Sequence, residues 1–427
     1  MTAHPSGSRL ARRIAVIGGG VSGLTAAHIL QKSADVTLYE AADRLGGHAD
    51  THEVAGHDGR THSVDTGFIV HNERTYPTLL RLFKELGVQT QDSEMSMSIR
   101  CDGCGLEYAG ALGVKGLFAQ PRSLLRPKYL RMLTEVLKFH RLASACLVDP
   151  ASSELTLGEF LTAGKYSPYF VAHFMTPVVS CVWSCAPKVA LEYPARYLFS
   201  FLDNHGMLAV TGSPTWRTVV GGSRTYVDLA AKSLTAVDTS SPVREVRRVR
   251  GGVEVRDDAG TRRYDGVVIA THPYQALSML AEPTMAEREV LGSFSYSENP
   301  TVLHTDTTIL PRSPRARASW NYRLESCDTP SDRVLVSYDL SRLQRLDAPE
   351  TYVVTLNPTS DVSPDQILDR MEYAHPIYNP TSVAAQVRLP ELNDGVIAYA
   401  GAYHGWGFHE DGARSGAKAA ESLGGSW

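Results

Sequence analysis

Three glycines near the amino terminus have the spacing of a phosphate-binding turn. Gly18, Gly20 and Gly23 follow a run of four apolar residues and fit the pattern G-x-G-x-x-G. In such a turn the first glycine permits a tight bend, the second lets the backbone approach a pyrophosphate, and the third lets a helix lie close to a strand. A helix that starts at Val21 and Ser22 would direct its free N–H groups at phosphate oxygens. The pattern therefore predicts a dinucleotide-binding turn.

A carboxylate and a second pair of glycines support this prediction. An apolar strand ends at Glu40, about 20 residues after the glycines, where a carboxylate can accept hydrogen bonds from ribose hydroxyls. Ala41 and Arg44 follow, and the Arg44 guanidinium is a fixed cation that could reach a phosphate. Gly46 and Gly47 would let a second backbone segment approach the same ligand.

The elements that must position these groups alternate between strand and helix. Apolar runs predict a strand over 14–17, a helix over 21–31 and a strand over 36–39. Near the carboxyl terminus a buried strand over 396–400 precedes a predicted helix over 413–423. This alternation is typical of a parallel α/β sheet.

The composition is that of a globular protein with more than one lobe. The chain has 427 residues, 43% hydrophobic and 21% charged, and a formal net charge of −4, which gives no general attraction to nucleic acid or acidic lipid. Six scattered cysteines do not suggest a disulfide framework, so we expect a reducing, cytoplasmic location. The pair at 12–13 is not followed by a signal-like apolar region, and no apolar run is long enough to span a membrane.

One cysteine motif invites a metal or redox interpretation. Cys101 and Cys104 form C-x-x-C, but a structural zinc site normally needs four ligands, and the sequence has no second C-x-x-C or paired histidine motif. The Asp-Gly between the cysteines is itself a turn signal. We therefore predict a β-hairpin over 95–109 and no metal site.

The region 117–147 is basic and amphipathic. Its cations stand among leucine, tyrosine, methionine and phenylalanine, and they are Arg122, Arg126, Lys128, Arg131, Lys138 and Arg141. A helix of this kind can lie on a membrane surface or shelter the mouth of a lipid-accepting pocket. It can equally be the solvated face of a helix in a cap domain. These alternatives stay open at the level of sequence, with at most peripheral membrane contact.

The glycine-rich turn, the acid after the second strand and the Arg-x-Gly-Gly step together resemble the FAD-dependent amine oxidase and phytoene desaturase superfamily. The segment 64–70 continues the likeness, because in that superfamily a similar Asp-x-Gly segment runs beside the isoalloxazine ring. The segments 65–72, 303–306, 319–322 and 407–412 are most similar to bacterial FAD-binding oxidoreductases associated with cyclopropane-fatty-acid-synthase-like methyltransferases. No covalent-flavin cysteine motif is found near the carboxyl terminus, so we expect noncovalent FAD.

The resemblance implies an α/β fold with a three-layer, Rossmann-type FAD-binding domain and a discontinuous α+β substrate-binding domain. We expect the FAD-binding domain to comprise residues 1–90, 213–285 and 393–427. The substrate domain would comprise a largely helical cap over 91–212 and a sheet over 286–392.

The resemblance also implies which residues contact the cofactor. A residue similar to Val243 meets adenine through its backbone, and a third helix amino terminus at 411–413 approaches the flavin. Two departures from amine oxidases stand out, Ala402 where those enzymes usually carry glutamate and His48 where a second arginine often follows Gly-Gly. The expected cofactor-binding residues are Gly18, Gly20, Val21, Ser22, Gly23, Glu40, Ala41, Arg44, Gly46, Gly47, His48, Thr66, Gly67, Phe68, Ile69, Val243, Thr271, Gly401, Glu410, Asp411 and Gly412.

The candidate catalytic residues lie on two later segments. His304 is the candidate base, because it stands roughly where amine oxidases place a lysine near flavin N5, and a histidine titrates near neutral pH. Asp306, two residues on, could orient it from the same face of a strand. Tyr403, His404 and Trp406 are expected pocket walls, and His205 is a further candidate. A buried structural histidine is the alternative for His304.

The leading functional hypothesis is an FAD-dependent oxidoreductase that transfers hydride to flavin N5 from an apolar, unsaturated or methyl-branched fatty-acyl substrate, as a desaturase, dehydrogenase or isomerase. A first alternative is an amine oxidase or a carotenoid-type desaturase. A second is a non-catalytic flavin-bound partner that presents lipid to a methyltransferase. No nucleic-acid partner is expected.

Overall fold

The computed structural model describes residues 12–149, 155–209, 212–327, 332–358 and 361–427. The chain forms two compact units. Unit 1 comprises Met1–Gly47, Tyr226–Gly292 and Gln386–Trp427, and unit 2 comprises His48–Thr225 and Ser293–Ala385.

The strands among the described residues are β1 (Arg12–Ile17), β2 (Ala34–Tyr39), β3 (Thr51–Ala55), β4 (Thr61–Asp65), β5 (His71–Asn72), β6 (Thr90–Ser93), β7 (Met97–Cys101), β8 (Leu106–Tyr108), β9 (Trp216–Val219), β10 (Ala236–Asp238), β11 (Glu245–Val249), β12 (Gly252–Asp257), β13 (Gly260–Tyr264), β14 (Gly266–Ile269), β15 (Ser295–His304), β16 (Trp320–Leu324), β17 (Val336–Asp339), β18 (Val353–Leu356), β19 (Ile367–Ile377) and β20 (Ile397–Tyr399).

The α-helices are α1 (Val21–Leu30), α2 (Pro77–Leu86), α3 (Gly113–Leu117), α4 (Pro127–Val148), α5 (Leu157–Ala163), α6 (Pro168–Phe170), α7 (Thr176–Trp183), α8 (Pro187–Ala190), α9 (Ala195–Asn204), α10 (Arg224–Ala231), α11 (Pro273–Met279), α12 (Met285–Leu291), α13 (Leu340–Leu343), α14 (Pro380–Arg388) and α15 (His409–Ser422). A π-helical turn (Val171–Met175) joins α6 to α7. Short 3₁₀ turns are Gly110–Leu112, Pro121–Leu125, Pro314–Ala316, Pro364–Gln366, Leu389–Leu392 and Ala402–His404.

Unit 1 is built on a five-stranded parallel sheet. Its strand order is β10-β2-β1-β14-β20, and Ile17 of β1 pairs with Tyr39 on one side and Ile269 on the other. The central strand is buried from Ile14 onward, as expected for a parallel strand covered on both faces. A separate antiparallel sheet consists of β11, β12 and β13. This α/β architecture confirms the predicted Rossmann-type fold class.

Unit 2 is built on a mixed seven-stranded sheet with the order β19-β15-β18-β17-β16-β7-β8. Only the β16–β7 pair is parallel among these neighbours. Five of its strands lie within the region 286–392, where a sheet was predicted, and the other two form the predicted hairpin of 95–109. The helices α4 to α9 belong to the same unit, together with the β3–β4 hairpin and the small sheet β5-β9-β6.

The boundaries of the units differ from the predicted domain boundaries. Residues 48–90 and 213–225, expected in the FAD-binding domain, group with unit 2, whereas residues 286–292 and 386–392 group with unit 1. One physical reason is the β3–β4 hairpin, whose last residue, Asp65, bonds to Ser223 and Gln344 within unit 2.

The basic region forms a shorter helix than the predicted 117–147. Helix α4 begins at Pro127, because proline is favoured in the first helical turn, where its missing N–H is not needed. Before it lie α3 and the 3₁₀ turn that starts at Pro121. None of the helices among the described residues combines the length and the apolarity needed to cross a bilayer.

Candidate functional site

The turn between β1 and α1 depends on two of its glycines for close packing. Gly18 has φ +104°, and a Cβ there would lie 2.6 Å from the carbonyl oxygen of Ala270. A Cβ on Gly23 would lie 1.9 Å from the carbonyl oxygen of Gly18. Thr271 borders the same turn, with its Cγ2 3.3 Å from the Cβ position of Gly18. Any larger residue at Gly18 or Gly23 would therefore push the helix away from the strand.

The middle glycine faces open space. A Cβ on Gly20 would meet no heavy atom within 4 Å, although Gly20 caps the amino terminus of α1 and no side chain accepts from that terminus. A second glycine segment lies alongside, because the Gly46 N–H donates to the Gly19 carbonyl (2.8 Å) and a Cβ on Gly47 would lie 3.3 Å from the Gly20 Cα. Together these residues form a cradle without side chains around the free N–H groups that begin at Val21.

The acid after β2 is held in a fixed orientation. The Glu40 carboxylate accepts hydrogen bonds from the backbone N–H of Gly19 (2.7 Å) and of Ala42 (2.9 Å). The backbone N–H of Ser241 donates to the Glu40 carbonyl, so the segment leading to Val243 runs beside the end of β2. These contacts bring the predicted ribose and adenine residues of unit 1 together beside the glycine cradle.

Arg44 and the last helix differ from expectation in detail. The Arg44 guanidinium donates to the carbonyl of Gly47 (3.1 Å) and so folds back on its own loop. Helix α15 begins at His409, not at 413 as predicted, because the Asp411 carboxylate accepts the Phe408 N–H and caps the first turn. Glu410 and Asp411 therefore belong to the first turn of α15.

The amino-terminal turns of α1 and α15 meet through glycines. A Cβ on Gly412 would lie 2.6 Å from Cγ1 of Val21, and a Cβ on Gly416 would lie 2.2 Å from the Ser22 carbonyl oxygen. Two helix amino termini, each with the positive end of its dipole, thus lie side by side in unit 1. Such a pair is suited to an anionic ligand.

Two of the predicted cofactor residues in the segment 401–411 form bonds within the protein. The Gly401 N–H donates to Ser415 Oγ (2.9 Å), and the Asp411 carboxylate pairs with Arg414. Burial raises the pKa of Asp411 to about 6. Both groups were predicted as cofactor contacts, and both have bonds within the protein that explain their position.

One ring nitrogen of His404 is buried without a hydrogen bond. Its Nε2 has no hydrogen-bond partner among the described residues. Burial, with the nearby charges of Lys418 and Arg414, lowers the pKa of His404 to about 3, so the ring is neutral. Tyr403 beside it is fully buried, and its carbonyl accepts from the Gln386 side chain. The open cradle, the paired helix ends, the fixed carboxylate and this unpaired nitrogen all fit a long dinucleotide.

Unit 2 contains the remaining predicted cofactor residues. The N–H of Phe68 donates to the His48 carbonyl (2.6 Å), and the N–H of Thr66 donates to the Asp50 carbonyl (2.9 Å). A Cβ on Gly67 would lie 2.2 Å from the His48 carbonyl oxygen, so glycine is required for this approach. Phe68 and Ile69 are nearly buried. The segment 66–69 is thereby fixed against the residues that follow Gly47.

A polar and aromatic cluster next to this segment was not predicted. The Tyr373 hydroxyl lies 2.6 Å from Thr66 Oγ1 and donates to the Asp50 carboxylate (2.8 Å). The His48 ring is 5.1 Å from the Tyr373 ring and 5.4 Å from the His375 ring. Tyr373 and His375 lie two residues apart on β19, and this period-2 spacing was the available signal.

Asp65 anchors the start of α10. Its carboxylate accepts from Thr51 Oγ1 (2.6 Å), from the Ser223 N–H (2.9 Å) and from the Gln344 side chain (3.1 Å). Burial outweighs these bonds and raises its pKa to about 6. Arg224, the first residue of α10, donates to the Thr51 carbonyl.

The structure does not support the predicted roles of His304 and Asp306. His304 is fully buried at the end of β15, its Nδ1 accepts the Asp306 N–H (3.1 Å), and its Nε2 lies 2.8 Å from Thr355 Oγ1. Burial lowers the pKa of His304 to about 4. The Asp306 carboxylate bonds to Thr308 and Ser363, not to the ring, because the strand ends before it. His304 has the environment of a structural histidine.

His205 is likewise enclosed. It follows α9, its Nδ1 lies 2.9 Å from the Phe201 carbonyl oxygen, and its ring stacks on Trp216 with centroids 6.1 Å apart. Burial lowers its pKa to about 4, so it is a neutral member of an aromatic core.

The C-x-x-C turn has more neighbours than the sequence suggested. The hairpin forms as predicted, but Cys327 and His173 join Cys101 and Cys104 from distant parts of unit 2. The argument that further ligands are lacking was therefore wrong, because it considered only residues near in sequence.

Comparison with known proteins agrees with the geometry in unit 1. Residues 21–423 match the family model described as flavin-containing amine oxidoreductase. The chain belongs to this family. Its cofactor is accordingly FAD, and its relatives are FAD-dependent oxidoreductases.

Individual relatives are distant. A curated Mycobacterium tuberculosis protein, named as a flavin-containing monoamine oxidase, is 27% identical over 282 residues, 64% of this chain and 59% of that protein. The chain thus matches less than two thirds of this relative's length. Cyclohexylamine oxidase from Brevibacterium oxydans has a TM-score of 0.70 at 16% identity, covering 97% of this chain and 98% of that one. A fatty acid isomerase from P. acnes that produces CLA has a TM-score of 0.68 at 15% identity, covering 96% and 97%.

Proposed function

We propose that the protein uses FAD to oxidise, desaturate or isomerise an apolar acyl chain. FAD supplies a hydride acceptor at N5, and the protein supplies binding and orientation. The observation that carries the acyl-chain assignment is a surface of unit 2 that exposes apolar side chains among cations. We call it the basic apolar surface; it consists of Val114, Leu124, Leu125, Leu130 and Leu137 and of the six cations between Arg122 and Arg141. The fold is compatible with such a substrate, since the P. acnes structure with this fold is a fatty acid isomerase.

The apolar members of the basic apolar surface are well exposed. Leu125 is 85% exposed, and Val114, Leu124, Leu130 and Leu137 also project into solvent. Leu130 and Leu137 lie seven residues apart and so share one face of α4. Exposed leucines in one region are costly in water and mark sites that bind protein or lipid.

The cations of the basic apolar surface match an anionic lipid surface. Six basic side chains between Arg122 and Arg141 are interspersed with these leucines, and three of them also bond within the protein, to the Gly105 carbonyl, to Glu135 and to the Gly164 carbonyl. Each cation near an anionic membrane contributes about 1 kcal/mol. The overall charge of −4 would not produce this attraction, so it is a local property. A protein that touches lipid in this way has direct access to acyl chains.

Anaerobic reduction of the bound flavin tests the proposal. For oxidation or desaturation we expect lasting bleaching of the flavin absorbance on addition of vesicles that contain unsaturated or methyl-branched phospholipids, or of the corresponding fatty acids. For isomerisation the hydride returns to the chain, so the flavin stays oxidised after turnover and the product has a shifted double bond. The Leu124→Ser/Leu125→Ser variant should slow bleaching by vesicle-borne lipid but not by a soluble short-chain acid. Met285→Ser, which alters an equally exposed apolar residue in unit 1, is the matched control.

Amine oxidation is the second candidate. It is favoured by the monoamine oxidase name of the Mycobacterium tuberculosis relative. An amine that bleaches the flavin and releases hydrogen peroxide in air, while every lipid neither bleaches it nor is isomerised, would replace the acyl-chain proposal with this one.

A further inference from the structure

Four potential metal ligands of unit 2 converge although they are far apart in sequence. The sulfurs of Cys101, Cys104 and Cys327 and a ring nitrogen of His173 all lie within 4.8 Å of one another. Cys101 Sγ is 3.5 Å from Cys327 Sγ, and His173 Nε2 is 3.6 Å from both Cys104 Sγ and Cys327 Sγ. Cys101 and His173 are fully buried, and the three cysteines are free thiols.

We propose that these four residues bind a structural zinc ion. Zinc in a tetrahedral site has Zn–S bonds of about 2.3 Å and Zn–N bonds of about 2.05 Å, which place two sulfurs about 3.8 Å apart and sulfur about 3.6 Å from nitrogen. The Cys101–Cys327 sulfur distance and the two sulfur–nitrogen distances to His173 are close to these values, and the remaining ligand atoms lie within 4.8 Å of one another. A Cys₃His set is a closed set of four protein ligands, which is typical of structural zinc rather than catalytic zinc.

The hairpin loop is shaped to support thiolates. The backbone N–H of Cys104 faces the Cys101 sulfur, and the backbone N–H of Leu106 faces the Cys104 sulfur. Gly105 adopts φ +66° between them, a conformation that glycine accepts without strain. Arg122 donates to the Gly105 carbonyl and places a positive charge beside the loop. N–H donors and a cation are what a negatively charged thiolate site needs.

The histidine is oriented by a second layer of contacts. His173 Nδ1 lies 3.1 Å from the Tyr169 carbonyl oxygen, so Nδ1 carries the proton and donates it, and Nε2 presents its lone pair to the sulfurs. The Tyr169 ring stacks on the imidazole at 3.9 Å, and the Tyr108 hydroxyl donates to the His173 carbonyl (2.7 Å). His173 lies in the π-helical turn, an irregularity that is often found at functional sites.

The third segment reaches the site through the sheet of unit 2. Strand β16 runs parallel to β7 and pairs Leu324 with Cys101, which leaves Cys327 three residues further along. A Cβ on Gly103 would lie 3.1 Å from the Cys327 nitrogen, so glycine permits the close approach. A metal here would join the hairpin, the helical region and the segment after β16, and would thereby stabilise unit 2.

A disulfide is the main alternative. A Cys101–Cys327 bond would need the sulfurs at about 2.05 Å rather than the observed 3.5 Å. It would also leave Cys104 and the oriented His173 lone pair without a role.

Metal analysis of the purified protein tests the zinc site without any measurement of activity. Protein prepared without chelators should contain about one zinc ion per chain, measured by inductively coupled plasma mass spectrometry. Cys104→Ser and Cys327→Ser should lose most of this zinc, whereas Cys146→Ser, which alters a buried cysteine on α4, should retain it. Replacement by Co²⁺ should give the intense visible bands of a tetrahedral thiolate site.

Two results would overturn the proposal. One is less than about a tenth of a zinc per chain in the wild-type protein, also after refolding with zinc. The other is a Cys101–Cys327 disulfide in peptides mapped without reduction. Should a serine variant fail to fold, the zinc content and the cobalt spectrum of the wild-type protein decide the matter alone. FAD content, measured in parallel, separates a failure of this site from a failure of the flavin proposal.

Discussion

Replacing Gly20 with alanine should separate cofactor binding from folding. A Cβ at this position would meet no protein atom within 4 Å, and the backbone, at φ −75° and ψ −179°, suits alanine. Gly20 caps α1, where alanine is a poorer cap by about 0.5–1 kcal/mol. We therefore expect the free energy of unfolding of FAD-free protein to fall by no more than about 1 kcal/mol.

The same methyl group would enter the cradle where the backbone meets the pyrophosphate. Displacing a phosphate oxygen from one of the N–H groups of α1 removes a charge-assisted hydrogen bond, worth about 1.5–3 kcal/mol. The dissociation constant for FAD should then rise about 10–100-fold. Gly23→Ala is the contrasting variant, because its Cβ would lie 1.9 Å from the Gly18 carbonyl oxygen. It should lose both stability and affinity.

The assay is a titration of flavin-depleted protein with FAD, followed by the quenching of flavin fluorescence, next to urea unfolding of the same preparations. Wild-type affinity in the Gly20→Ala protein would refute the assignment of the cradle to the pyrophosphate. If Gly20→Ala and Gly23→Ala destabilised the FAD-free protein equally, the conclusion that a methyl group at Gly20 meets no protein atom would be wrong.

The remaining predictions concern the exposed leucines of the basic apolar surface, His304 and Asp65. Leu124→Ser/Leu125→Ser should weaken binding to anionic vesicles by about 2–3 kcal/mol, or roughly 30–150-fold, in a flotation assay at low salt, whereas Met285→Ser should not; unchanged flotation would exclude the basic apolar surface. His304→Gln should keep turnover within about threefold of the wild type, since the ring is buried and bonded within the sheet. The pKa of His304 is about 4 in the folded protein and about 6.5 in the unfolded chain, so the unfolded chain takes up the proton first as pH falls. This histidine therefore lowers the free energy of unfolding by up to about 3 kcal/mol between pH 6.5 and 4. In urea titrations over that range, His304→Gln should lose correspondingly less stability than the wild type. The pH dependence caused by Asp65 runs in the opposite direction. Its pKa is about 6 in the folded protein, above the unfolded value, so the free energy of unfolding falls by about 3 kcal/mol as pH rises from 4 to 6. Asp65→Asn should remove this dependence.

Local motifs were predicted well because their physics is local. The G-x-G-x-x-G turn, Glu40 and the Gly46-Gly47 step all lie within one strand–helix–strand unit and the loop after it, so the spacing along this short segment contains that information. The hairpin of 95–109 formed for the same reason, since the Asp-Gly turn and the flanking strands are contiguous.

Helix ends and burial were predicted less well. Helix α15 begins four residues early because Asp411 caps its first turn, and α4 begins late because Pro127 suits a first turn. His304 ends β15, but only the pairing of β15 with β18 brings Thr355 to its Nε2, while its Nδ1 accepts the N–H of Asp306. Whether a histidine is catalytic or structural depends on its surroundings, which neighbouring residues in the sequence do not reveal.

The amino-acid sequence by itself determined the dinucleotide turn, the family and the α/β class, because these depend on glycine spacing and on short apolar periods. The tertiary structure alone decided the partners of Tyr373 and the meeting of Cys101, Cys104, His173 and Cys327. Cys101 and Cys327 are separated by 226 residues, and only the parallel pairing of β16 with β7 brings them together. A contact across that distance is set by the topology of the sheet, which no local pattern encodes.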